Sequence, residues 1–356
     1  VLDEAHKAPD ELAAFLHTTL TKLEIEGILG SRALTTDDPT EWADWALDET
    51  RLFKQGIEDM EEDLSHQYDA RLAKEYQVNK RLYRKLQIVS KITDDWIVER
   101  NKHVTFDPIW PKSSMETLFQ NVPKVILLSA TIRPKTCELL GIDRKDLTFY
   151  EGESSFPVER RPFIKVPCVR VDNKTTDDEL ATWVVKIDNI IEKRKGRRGL
   201  IHTVSYARRD YIRKHSRHSK RMIWHDPRDT AFTIDSFKRG DYDGTILISP
   251  SATCGYDFPY NQCRFIIICK VPFPDARSKI LKARCKQDKD YAMYLAMQEL
   301  VQGSGRGMRA PDDWCEILCV DDNFNWYYRK YSRFAPKWFG DSIRYVKLAP
   351  DPLEVE

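Results

Sequence analysis

Four short apolar runs, Val125–Leu128, Gly199–His202, Thr245–Ile248 and Arg264–Cys269, constrain this chain more than any other feature. Each is the length of a strand. Between and after them lie stretches of helical periodicity near residues 180–194, 206–215 and 289–302. Strand-sized runs alternating with amphipathic helices are the grammar of an α/β fold with a parallel sheet. The polar, turn-rich stretch from Tyr150 to Pro162 separates the first run from the later three and is where a domain boundary is expected.

Ahead of Pro108 and Pro111 the pattern differs. From about residue 11 to 100 it is helical, with Leu12, Phe15, Leu16 and Leu23 at spacings of three, four and seven. Asp38-Pro39-Thr40-Glu41 combines an acidic cap, a proline for the first turn and a carboxylate at the third position, which predicts a helix start. Trp42, Trp45, Leu52, Phe53 and Ile57 continue that helix, and Leu72, Tyr76, Leu82, Leu86 and Val89 supply another. The acidic run Glu58 to Asp63 reads as a solvated helix face.

A chain of 356 residues has room for two or three domains with their own cores. With 41% hydrophobic and 32% charged residues it is an ordinary folded protein and not a disordered one. The net charge of +1 conceals local clustering, such as Lys193 to Arg198, so it neither supports nor excludes a nucleic-acid partner. The eight cysteines include no CxxC pair, which argues against a zinc or iron-sulfur site within this chain and fits a reducing compartment. The longest apolar runs are far too short to cross a bilayer.

Three stretches carry candidate chemistry. Asp3 and Glu4, after Val1-Leu2 and before Ala5-His6, place two hard oxygen ligands where a strand end can meet magnesium and a nucleotide. The plainer reading is an acidic turn that caps a helix beginning near Pro9. Ser129, Ala130 and Thr131 follow the run Val125–Leu128, where small hydroxyls at a sheet edge can touch a nucleotide site and a neighbouring domain, or simply bond local backbone. Gln302-Gly303-Ser304-Gly305-Arg306-Gly307-Met308-Arg309 puts two arginines three apart, on one face if the helix continues, and guanidinium forks suit phosphate oxygens. Three alternate glycines would be costly in a helix unless something approaches the backbone closely, and the plainer reading is a glycine-rich surface loop.

In this order, DEAH, SAT and QxxGRxxR resemble motifs two, three and six of superfamily two helicases, and the details between them look like the DinG and XPD branch. Those details are the helical insertion between DEAH and SAT, the approach from Trp96 to Pro108 into KVILLSAT, Ser155-Phe156-Pro157, and Val271-Pro272-Phe273-Pro274. Gly199 to Tyr206 resembles motif four, and Thr253-Cys254-Gly255-Tyr256-Asp257-Phe258 motif five.

The resemblance implies an α/β architecture. A partial RecA-like domain 1 (residues 1–10 and 116–155) would carry a helical arch-like insertion (11–115), followed by a complete RecA-like parallel-sheet domain 2 (156–356). It implies ATP and magnesium as cofactors, with Asp3 ordering the metal, Glu4 activating water, and His6 coupling the site to motif six. Gln302, Arg306 and Arg309 would serve catalysis, Gly255, Asp257 and Gly305 would complete the nucleotide cleft, and Ser129, Ala130 and Thr131 would couple the domains. Thr203, Ser205, Tyr206 and Thr253 would meet single-stranded or forked DNA, largely through phosphates; Tyr206 stacks on a base or packs in the core. Arg213, Lys214, Arg217, Lys220 and Arg221 would add attraction, or form a solvated helix end. The aromatic stretch Asn325 to Tyr331 is expected to pack a terminal helix.

By resemblance the activity is ATP-dependent, five-prime to three-prime movement on DNA by a monomer, in the cytoplasm or, in a eukaryote, the nucleus, with no membrane partner. The sequence contains no GxxxxGK[ST] and no Gly-Lys pair. Val1 is therefore expected to be a cut point in a longer parent. Such a parent would hold the phosphate-binding loop and any iron-sulfur cluster, and this chain alone would hydrolyse ATP poorly or not at all. Two other classes stand beside this one: a catalytically inactive nucleic-acid-binding module, and an ATP-driven remodeller that moves on DNA without parting strands.

Overall fold

A computed structural model describes residues 1–112, 119, 122–240, 243–251 and 255–346. Among these the chain divides into two compact units. The first takes Val1–Ser129, Pro134–Thr148 and Asp275–Lys289; the second takes Ala130–Arg133, Phe149–Pro274 and the chain from Asp290 onward.

In the first unit, α1 (Ala8–Leu16) carries a proline in its first turn and leads into β1 (Thr18–Leu20). Two long helices follow, α2 (Pro39–His66) and α3 (Ala70–Val89). Asp38 caps α2 by accepting from Thr40 N at 2.8 Å, as its sequence predicts, and Asp69 caps α3 from Leu72 N at 2.8 Å. The acidic residues of the run on α2 are exposed. The helical reading of residues 11 to 100 fails at both ends, because β1 and β2 (Trp96–Arg100) join β3 (Val104–Pro108) in an antiparallel sheet ordered β1-β3-β2. Adjacent threonines in β1 and Trp96-Ile97-Val98 in β2 are β-branched or aromatic, and such residues pack better on a pleated surface than in a helix. That surface is buried against α2: Phe106 and Trp42 are both wholly enclosed and meet edge to face at 5.4 Å.

Val125–Leu128, expected as a buried strand, is not one. A single parallel bridge joins Leu127 to Leu2, with Leu2 N on Ile126 O at 2.8 Å and Leu128 N on Leu2 O at 2.9 Å. Ile126 is 53% and Leu128 49% exposed. Two paired segments with no third strand beside them, among the described residues, form too little sheet to enclose their own side chains.

The second unit is built on a seven-stranded, wholly parallel sheet. Its strands are β4 (Phe163–Val169), β5 (Gly199–His202), β6 (Met222–Ile223), β7 (Ile246–Ser249), β8 (Phe265–Ile268), β9 (Glu316–Asp321) and β10 (Ile343–Tyr345). Their order is β10-β4-β9-β8-β5-β7-β6. Every residue of β5, β7 and β8 is buried, as strands covered on both faces must be. One face carries Ile201, Ile248 and Ile267 against Trp183, Ile187 and Ile191 of the helix Asp177–Glu192. That helix opens with a full capping box between Thr176 and Glu179. The other face receives the helix Tyr291–Ser304, whose Met297, Leu300 and Val301 are buried. Gly199 has to be small: a Cβ there would lie 2.3 Å from the Phe265 ring.

Beyond β9, the helix Asn323–Tyr331 buries Phe324, Tyr327 and Tyr331, so the aromatic stretch packs as its sequence suggests. No described helix is long and apolar enough to cross a membrane.

Candidate functional site

Each unit holds its own cluster of the predicted residues. In the first unit, Glu4 adopts a left-handed backbone, φ 50°, which turns the chain out of its bridge with Leu127 and into the 3-10 turn Ala5–Lys7. Asp3 Oδ1 accepts from Glu4 N at 2.9 Å, and both carboxylates are exposed. His6 Nδ1 and Ser129 Oγ lie 2.8 Å apart, with Glu4 Oε2 3.3 Å from the same nitrogen. Acidic chain start and hydroxyl segment are thus joined through one imidazole. Among the described residues no three His, Cys, Asp or Glu side chains form a metal cage. Two exposed carboxylates suit magnesium all the same, because that ion usually takes one or two protein carboxylates and completes its shell with water and phosphate oxygen.

The second unit holds the arginine cluster. The helix Tyr291–Ser304 stops two residues before Arg306, so the two arginines stand on the turn beyond it and not on a continuing helical face as the spacing suggested. They meet all the same. Arg309 donates to Asp257 Oδ1, Arg306 Nη1 lies 3.5 Å from the same oxygen, and Arg306 Nη2 donates to Gln302 Oε1 at 3.0 Å. Gln302 Nε2 in turn donates to Thr131 Oγ1 at 2.8 Å, and Thr131 is buried. Ala130 is exposed, its carbonyl accepting from Trp338 Nε1 at 3.1 Å. Asp257 follows a turn for which Gly255 supplies φ 80°.

Of Gly305 and Gly307, Gly307 is the tight one. A Cβ on it would come 2.3 Å from Cys315 Sγ, whereas at Gly305 it would meet only ordinary contacts at 3.7 Å.

The sequence missed Asp313, which is wholly buried under this turn. Its carboxylate accepts from Arg264 Nη1 at 2.8 Å, Trp314 N at 2.7 Å, Tyr260 N at 2.9 Å and Arg309 N at 3.3 Å. Lying four residues past Arg309 in a polar loop, it carries no local signal of that role.

The residues expected to meet DNA are placed differently from one another. Thr203 is fully buried and its hydroxyl donates to Ser205 O at 3.1 Å, so it turns inward to the backbone instead of outward to a phosphate. Ser205 caps the helix Tyr206–His215 by accepting from Arg208 N at 3.3 Å. Tyr206 is half-buried under the Arg209 guanidinium, 4.8 Å from its ring. Thr253 lies outside the described residues. In the basic stretch, Arg213 stacks on Trp224 and Arg221 donates to Gly244 O at 2.7 Å, while Lys214 and Lys220 are exposed.

Comparison with known proteins bears on these clusters. The family described as "Helicase C-terminal domain" matches residues 187–342. Over 131 residues the chain is 27% identical to the general transcription and DNA repair factor IIH helicase subunit XPD/RAD3 of Saccharomyces cerevisiae. That match takes in 33% of this chain and 16% of the yeast protein. The solved structure of S. tokodaii Xpd4 aligns with 97% of this chain and 75% of its own, at a TM-score of 0.57 and 15% identity. A structure titled XPD_APO aligns with 97% and 76%, at a TM-score of 0.54 and 15% identity. At such identities the structures speak for the fold alone.

Proposed function

We propose, for a chain that belongs to the XPD/DinG-like branch of superfamily two helicases, that its gene product hydrolyses ATP to move on single-stranded DNA. The observation that carries this reading is the convergence of Arg306 and Arg309 on Asp257, with Gln302 linking Arg306 to Thr131. Such an array presents guanidinium forks in fixed relation, which is what charge stabilisation on a transferring phosphoryl group requires. An arginine in that role is worth roughly a thousandfold or more in rate.

Asp3 would hold magnesium and Glu4 would orient and deprotonate the attacking water, with His6 steadying the Glu4 carboxylate from 3.3 Å. Magnesium would supply charge neutralisation at the phosphates. Serving one nucleotide from the two clusters is part of the proposal, as is five-prime to three-prime movement. On single-stranded DNA, Ser205 and Tyr206 at the start of a helix, with exposed Lys214 and Lys220 farther along the chain, supply polar, aromatic and cationic contacts of the kind phosphates and bases accept.

ATP turnover by the natural gene product, measured with and without single-stranded DNA, tests the reading. Stimulation by DNA and its loss in Arg309→Ala support it; absence of both overturns it. The second reading, a nucleic-acid-binding module without catalysis, is favoured by the lack of a GxxxxGK[ST] stretch in this sequence. It predicts DNA binding with no turnover under any condition. For the present polypeptide by itself, with ATP and magnesium, we expect little or no hydrolysis.

A further inference from the structure

His202 takes no part in the chemistry above, yet it is placed where that chemistry would feel it. It ends β5, in register with Ser249 of β7 and Ile268 of β8. Because Ile201 beside it faces the Trp183 cluster, strand alternation turns His202 to the opposite face, where the helix Tyr291–Ser304 packs. The ring is 2% exposed, and among the described residues neither nitrogen finds a well-formed hydrogen bond. A buried polar side chain left in that condition costs stability and calls for a reason.

Its surroundings supply one. Ser249, its neighbour on β7, has its hydroxyl engaged by His225 Nε2 at 2.8 Å and Ser251 N at 3.1 Å. Ile268 on β8 is apolar. On the helix side, Gly305 N already occupies the carbonyls of Val301 and Gln302, both at 3.2 Å, and the Gly303 backbone acts on the imidazole. Among the described residues, the charged side chain acting on it is Arg306, just past the helix end. Burial, the strongest influence, holds the imidazole down at about 4; the Gly303 backbone opposes this and the Arg306 charge adds to it. The ring therefore stays neutral at ordinary pH, and a neutral imidazole has one N–H to give.

We propose that His202 is a positioning residue: its imidazole N–H is directed at the Gly303 carbonyl, anchoring the helix end that bears Gln302 and sets the direction of Arg306. It acts on the arginine turn from beneath and touches no substrate. The importance of that turn for hydrolysis rests on the function proposed above; the anchoring itself does not.

Two measurements on the whole chain test the anchor without ATP. In nitrogen-15 spectra, with His202 assigned by its loss in His202→Phe, the ring should stay neutral through the range where an ordinary histidine titrates and should hold a single tautomer. Trypsin cleavage after Arg306 and Arg309, followed by mass spectrometry under native conditions, should rise severalfold in His202→Phe. In His202→Gln, which can still donate, cleavage should return towards the native rate. Ordinary titration, mixed tautomers, or unchanged cleavage in a folded Phe variant would overturn the assignment. If the Phe variant does not fold, assignment through His202→Gln leaves the spectra to decide. Were the anchor upheld and turnover absent, the proposed activity and not the role of His202 would be at fault.

Discussion

Arg309 donates its guanidinium to the carboxylate of Asp257, and the same carboxylate oxygen faces Arg306 at 3.5 Å. One exposed acid thus sets two cations whose backbones are three residues apart. Asp257→Asn should cost modest stability, about 1 kcal/mol, because its pair with the partly exposed Arg309 is screened by water and the buried Arg306 keeps its hydrogen bond to Gln302. It should nonetheless lower DNA-stimulated ATP turnover at least about tenfold, since both forks lose their fixed spacing. Arg309→Ala should cost about a thousandfold. Steady-state kinetics on the natural gene product, with unfolding curves in parallel, separates the two effects.

Gly307→Ala should destabilise the second unit by about 1–3 kcal/mol, the usual cost of forcing a methyl into a filled core. The added carbon would meet Cys315 Sγ at 2.3 Å and Cys315 Cβ at 2.8 Å. Removing the sulfur in a Gly307→Ala, Cys315→Ala double variant should recover part of the loss, which chemical denaturation would show. Gly305→Ala, with contacts no closer than 3.7 Å, should be tolerated.

What could be read in the sequence depended on whether the signal was local. The later strands were legible because β5, β7 and β8 are continuous apolar runs, and α2 because its cap, proline and periodicity all agree. Val125–Leu128 has the same composition but is largely exposed, since a strand needs neighbours that composition cannot supply. The motif residues were visible by their order, but their relations were not. That Gln302 reaches Thr131 depends on a contact between residues 171 apart. Asp313 and His202 gave no signal at all, because burial and partners made by the fold define their roles.

Asp313→Asn should destabilise the protein by about 3 kcal/mol, in the range expected when one member of a buried charged pair is removed. The carboxylate accepts four hydrogen bonds, one of them from the partly buried Arg264. An amide has one oxygen and turns a donor towards groups that already donate. Because Arg309 N is among those groups, turnover should fall further than the loss of folded protein accounts for. Comparing activity per folded molecule with the unfolding free energy distinguishes the two.

His202 also makes stability depend on pH in a direction that can be worked out. Its pKa falls from 6.5 to about 4 on folding. Above pH 6.5 both folded and unfolded forms are neutral there, and the contribution is complete. As pH drops through 6.5 the unfolded chain takes up a proton that the folded chain refuses until about pH 4, so stability is lost across that window. The full loss is about 3 kcal/mol, with about 2 kcal/mol of it already gone at about pH 5. Other groups titrate in the same range, so the quantity to measure is the difference between the native chain and His202→Phe. Urea unfolding at about pH 7 and about pH 5 should show the native chain losing about 2 kcal/mol more than the variant between the two conditions. Equal losses would mean that the imidazole is hydrated or charged in the folded protein, and the buried neutral ring would have to be abandoned.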